Sequence, residues 1–103
     1  MARRIVHEIL YDTEKATWVS DVGSPTANKA DHSYWEGELF VTAKSNWFIN
    51  GMGGPKSMFG QEVDGSSIGT SNIIPISKGE TLRMLEQHKF WDVILEHFEI
   101  TEA

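Results

Sequence analysis

The segment from Ser33 to Met52 constrains this chain more than any other. Tyr34 to Ala43 is rich in Tyr, Trp, Phe and Val, the residues that suit a pleated, half-buried strand. Lys44-Ser45-Asn46 offers a turn, and Trp47 to Asn50 returns. Asn tolerates a left-handed backbone, so a bulged hairpin with Asn46 at positive φ is expected. That register places Leu39, Val41, Ala43, Trp47 and Ile49 on one face. Glu36, Glu38, Phe40, Thr42, Phe48 and Asn50 fall on the other. A one-residue slip would exchange the faces of one strand.

The remaining chain supplies partners for this hairpin. Arg4 to Tyr11 alternates with period two and reads as one strand. Asp12-Thr13-Glu14-Lys15 is a turn, and Ala16 to Val22 a second strand, stopped by Gly23-Ser24-Pro25. Thr26 to His32 reads as loop. Gly51-Met52-Gly53-Gly54-Pro55 breaks the return strand. Lys56 to Val63 reads as a short helix capped by Ser57, and Asp64 to Ser71 as loop. Ile73 to Ile76 is a short strand, placed at an edge because Pro75 lacks a ladder donor. Ser77 and Glu80 form a capping box that starts a helix at Lys78. Its apolar stripe (Leu82, Leu85) falters at Gln87-His88-Lys89 and resumes with Trp91, Ile94, Leu95 and Phe98. Strands first and helices last predict an α+β domain: an antiparallel sheet of four to five strands with one or two C-terminal helices on one face. The 103 residues suit a single domain, 1–103.

Composition removes several function classes. There is no cysteine, hence no disulfide, thiolate zinc site or cysteine nucleophile, and a cytoplasmic setting is expected. No apolar run approaches a membrane span, and Met1 to Leu10 does not read as a signal peptide. The net charge is −6, which argues against a nucleic-acid binder. The acid is concentrated late: residues 80–103 carry six acids against two bases.

Candidate chemistry is sparse. His7, His32, His88 and His97 lack metal-ligand spacing. His88, Asp92 and Glu96 would share a face only on an unbroken helix. No Gly-x-Ser-x-Gly elbow is present. The run Asn50 to Ser57 departs from the Walker A loop because Pro55 separates Gly54 from Lys56. Its backbone amides could still form an anion nest. Catalytic residues, metal ligands and cofactors are therefore not expected. Phe40 and Phe48 on an outer face beside Glu36 and Glu38 have the composition of a protein-binding surface. The four tryptophans, Trp18, Trp35, Trp47 and Trp91, are expected to converge in the core.

The stretch Leu39 to Ser57 also resembles small bacterial and phage proteins that carry a T-x-K-G-N-W-F-L-x-G-x-G-G segment followed by a strand, P-L-T and an acidic helix. Ile74-Pro-Ile-Ser77 continues the likeness, which covers about half the chain; Ser45 departs from it, standing where the pattern has glycine. The resemblance implies a phage or mobile-element accessory protein and carries over no catalytic residue. Two function classes follow. The first is a small acidic non-enzymatic module, an inhibitor of anti-CRISPR or anti-restriction type, that docks on a basic nucleic-acid-handling protein as a monomer or homodimer. Its contact candidates are Glu36, Glu38, Phe40, Phe48, Asn50, Gly53, Gly54, Glu86, Asp92, Glu96 and Glu99. The second is a small-molecule or anion binder, enzymatic or not, built on Gly53, Gly54, Lys56 and Ser57.

Overall fold

The computed structural model describes residues 2–24, 28 and 30–103. The proline stop at Pro25, and Thr26, Ala27 and Lys29 of the expected loop from Thr26 to His32, lie outside the described residues. Among the described residues nine elements follow in order: β1 (Arg3–Val6), β2 (Ile9–Asp12), β3 (Thr17–Gly23), β4 (Trp35–Val41), β5 (Trp47–Gly53), β6 (Gly60–Val63), β7 (Ser66–Ile76), α1 (Lys78–Gln87) and α2 (Trp91–His97). β1 and β2 form their own two-stranded sheet. The other five strands form one antiparallel sheet in the order β3-β4-β5-β7-β6. The α+β arrangement with C-terminal helices is as the sequence predicts.

The β4–β5 hairpin takes the expected register, with Leu39 opposite Ile49 and Phe40 opposite Phe48. Its turn differs in one residue. Ser45, not Asn46, holds the positive φ, at 65°. Ser45 N–H donates to Thr42 O at 2.9 Å, and Thr42 N–H to Asn46 O at 2.9 Å. The Thr42 hydroxyl also accepts the Asn46 amide at 3.0 Å, so both amides that flank Ser45 Cα, its own and that of Asn46, are tied to Thr42.

Three other segments depart from expectation. Arg4 to Tyr11 is two strands, because the chain reverses at His7-Glu8 with φ of 52° and 67°. Asp64-Gly65 is a tight turn with φ of 50° and 78°. It joins β6 to an eleven-residue β7, so the expected helix at Lys56–Val63 and the loop at Asp64–Ser71 are mostly a hairpin. Asp-Gly is a strong two-residue hairpin signal, here hidden among polar neighbours. Ile73–Ile76 is not the short edge strand expected but the end of β7, which lies between β5 and β6; β6 pairs only with Ser66–Gly69, so at Pro75 the side away from β5 is open. Ile73, of the same parity, accepts Arg4 Nη1–H at its carbonyl, 2.7 Å, away from β5. The missing Pro75 N–H therefore falls on the open edge of β7.

Alternation sorts the sheet's side chains into two cores. On one face Val19, Val22, Leu39, Trp47, Ile49 and Phe59 meet Leu85, Ile94 and Phe98 of the helical layer. On the other, Phe40, Phe48 and Ile73 meet Tyr11, with Ala2, Val6 and Ala16 alongside. The β1–β2 hairpin is thus a third layer. The Thr13 hydroxyl and backbone clamp its start through bonds of 3.0–3.2 Å to Ala2.

The Ser77 cap forms as predicted, with Glu80 N–H donating to Ser77 Oγ at 3.1 Å, while the Glu80 carboxylate meets the Ser77 hydroxyl, Oγ–H to Oε1 at 3.0 Å. The buried Thr81 hydroxyl donates back to Ser77 O at 2.8 Å. α1 ends where the stripe falters. Lys89 takes φ 59°; its N–H reaches Glu86 O and that of Phe90 reaches Leu85 O, both at 3.0 Å. This pair of bonds is a Schellman closure, with Lys89 in the place glycine usually holds.

Candidate functional site

The candidate residues occupy three separate places. The first is the half of the sheet's outer face that the β1–β2 hairpin leaves open. Glu38 stands directly opposite Asp21 on β3 and Asn50 on β5, and Glu36 stands opposite Met52. Asp21, Glu36 and Glu38 are exposed and line a shallow groove of about 670 Å³ with Asn50, Met52 and Ser71. Glu36 Oε2 accepts the Tyr34 hydroxyl at 2.9 Å. That bond raises the Tyr34 phenol above its ordinary pKa by favouring the protonated form.

Phe40 and Phe48 correct the expectation. They share the outer face but not its exposure: both are buried. Phe48 stacks on Phe40 at 5.2 Å and meets the Tyr11 ring edge-on at 5.5 Å. A strand pattern shows which face a residue takes, not what later covers it. Here the covering piece is the β1–β2 hairpin.

The second place is the glycine loop, and its donors are spent inside the protein. Gly54 N–H donates to Tyr34 O, Lys56 N–H to His32 O, Ser57 N–H to Gly54 O and Gly60 N–H to Ser57 O, at 2.8–3.0 Å. Ser57 Oγ–H donates to Gly54 O at 2.7 Å and accepts Phe59 N–H at 3.1 Å. An anion nest needs free amides pointing together, and these are not free. The glycines serve packing instead. A Cβ on Gly54 would strike the His32 backbone, and one on Gly60 the Pro55 carbonyl.

The third place is the helical layer, on the opposite side of the sheet from Glu36, Glu38 and Asn50. Glu86, Asp92, Glu96 and Glu99 are all exposed there. Between α1 and α2 runs an apolar groove of about 350 Å³ lined by Leu82, Glu86, Trp91, Ile94, Leu95 and Ile100. Trp91 is 55% exposed and Leu95 66%. The sequence reading placed both in the core stripe. The signal was present: Trp91, Val93, Ile94 and Leu95 spread around more of α2 than one face can bury. Trp18, 51% exposed on the outer sheet face, likewise leaves the tryptophan cluster expected in the core. Asp21 escapes the sequence reading because only the β3–β4 register brings it beside Glu38, and Met52 because the return strand is expected to break at Gly51, whereas β5 runs on to Gly53 and sets Met52 opposite Glu36.

No group of three or more metal-ligating side chains assembles among the described residues. The helix break separates His88 from Asp92 and Glu96. The His88 ring instead donates from Nε2 to Gly23 O at 2.8 Å and stacks on Phe90 at 5.3 Å. His97 lies edge-on to Trp47 at 5.7 Å. Among the described residues no helix is long and apolar enough to cross a membrane. Protein-family models, curated proteins and solved structures were compared with the chain, and none matches it.

Proposed function

We propose that this protein is a small acidic, non-enzymatic binding module that docks on a basic surface of a nucleic-acid-handling protein. The observation that carries this reading is the exposure of Glu86, Asp92, Glu96 and Glu99 on the helical layer, within a segment of six acids and two bases. A groove that holds a phosphate backbone presents lysines and arginines. A concentrated acidic face competes for the same charges and is steered toward them. The finer reading is a cytoplasmic inhibitor of phage or mobile-element origin, of anti-CRISPR or anti-restriction type. The charge and the resemblance of Leu39 to Ser57 support it.

The test is a tagged pull-down from nuclease-treated bacterial lysate at low and high salt, read by mass spectrometry. The expected result is one enriched nucleic-acid-handling protein, released at high salt, since the Debye length falls from about 10 Å at 0.1 M to about 3 Å at 1 M. Reversing Asp92, Glu96 and Glu99 to lysine should abolish capture, whereas Lys56→Ala should leave it unchanged. A partner held equally at both salts would sink the reading.

A further inference from the structure

We infer that the groove between α1 and α2 receives the apolar face of a basic amphipathic helix from the partner, an inference that rests on the acidic-docking reading above. Trp91 and Leu95 sit four residues apart on α2, so they project from successive turns about 6 Å apart. They form one wall of the apolar groove, and an amphipathic helix binds by laying its apolar face into a groove of this kind. Both side chains are more than half exposed, and tryptophan is among the residues that most often carry binding energy at interfaces. Leu82, Ile94 and Ile100 complete the apolar lining, with Glu86 at its wall. Glu86 is the charged side chain that lines the groove; Asp92 and Glu96 lie one turn apart on α2 and Glu99 just beyond its end, all exposed, against two exposed bases of the same segment, Arg83 and Lys89.

Charge selects the occupant. A second copy of this chain, docked face to face, would set one acidic segment against its twin, because an isologous contact opposes the same patch on both subunits. A helix with an apolar stripe flanked by lysine or arginine fills the groove, pairs with Glu86 at its wall and meets the acidic surplus of this segment. The groove of the sheet-face carboxylates Asp21, Glu36 and Glu38 offers one exposed apolar side chain, Met52, beside the buried Val22, and gives such a helix no comparable anchor.

The probe is a synthetic leucine–lysine peptide of about five helical turns, patterned to be amphipathic. A scrambled peptide of the same composition serves as control. Binding is followed at low salt by tryptophan emission, with Trp91→Phe identifying the Trp91 signal. The amphipathic peptide should bind at least about tenfold more tightly than the scrambled one and shift Trp91 emission to the blue. Leu95→Asp should erase the difference even though it adds an acid, so the loss cannot come from charge. Leu95→Ala, with an unchanged circular dichroism spectrum, replaces it should the aspartate perturb folding. Glu96→Lys should weaken both peptides alike. Equal affinity for the two peptides overturns the groove inference and leaves acidic docking standing. Failure of both to bind removes acidic docking itself, and this inference with it. A light-scattering mass of two chains, returned to one by Leu95→Asp, would make a second copy the occupant and overturn the basic helix.

Discussion

Ser45 shows how much one backbone angle decides. Its φ of 65° lies in the left-handed region, which costs a residue bearing a Cβ about 1–2 kcal/mol. Glycine avoids that cost but loses about 0.5–1 kcal/mol in unfolded-chain entropy. Ser45→Gly should therefore stabilise the fold by about 0.5–1 kcal/mol, a rise of about 2–8 °C in Tm for a domain of this size. Differential scanning calorimetry reads it directly, and a fall in Tm would show that the Ser45 side chain contributes more than its backbone strain costs. Lys89 presents the same geometry at the end of α1. Neither angle was legible in the residue type. The sequence pointed to Asn46 because asparagine is the tolerant residue, but the Ser45 and Asn46 amides are both held by Thr42, and the residue between those two peptides, Ser45, takes the left-handed angle.

At the scale of elements, local signals succeeded where they were chemically specific. The Ser77 cap starts α1 where expected, and the stalled stripe at Gln87-His88-Lys89 ends it. Ser77→Ala removes the acceptor for Glu80 N–H and should cost about 1 kcal/mol. Urea denaturation should show the transition midpoint lowered at an unchanged m-value. A lower m-value would mean that α1 frays independently rather than with the sheet. Local signals failed where apolar periodicity was too short to separate one strand from two. His7-Glu8 has no turn signature, yet it reverses the chain, because the docking of Tyr11 and Val6 on Phe40 and Phe48 outweighs the cost of two left-handed residues.

The whole molecule is three layers, and Phe48 joins two of them. It is fully buried, in ring contact with Tyr11 of the hairpin and Phe40 of its own sheet. Phe48→Ala should cost about 3–5 kcal/mol, a large share of the roughly 5–15 kcal/mol that holds a domain together. Equilibrium unfolding monitored by tyrosine and tryptophan signals should show both probes losing stability together. If only the Tyr11 signal moved, the hairpin would be a separately melting layer. The same layering sets the functional geography: Glu36, Glu38 and Asn50 face one side, and Glu86, Asp92, Glu96 and Glu99 lie on the other. One partner face cannot use both groups.

By itself the sequence determined the α+β class, the β4–β5 register, the helix start at Ser77, the break near His88 and the placing of the acid. Each depends on neighbours a few residues apart: alternation, a capping pair, an interrupted stripe, a count of carboxylates. Only the tertiary structure decided that Phe40 and Phe48 are covered, that Trp91 and Leu95 are not, that the glycine loop spends its amides on the Tyr34, His32 and Gly54 carbonyls and the Ser57 hydroxyl, and that Asp21 stands across from Glu38. Those outcomes depend on which segments distant in the chain pack together, and burial is a property of the pair, not of either residue alone.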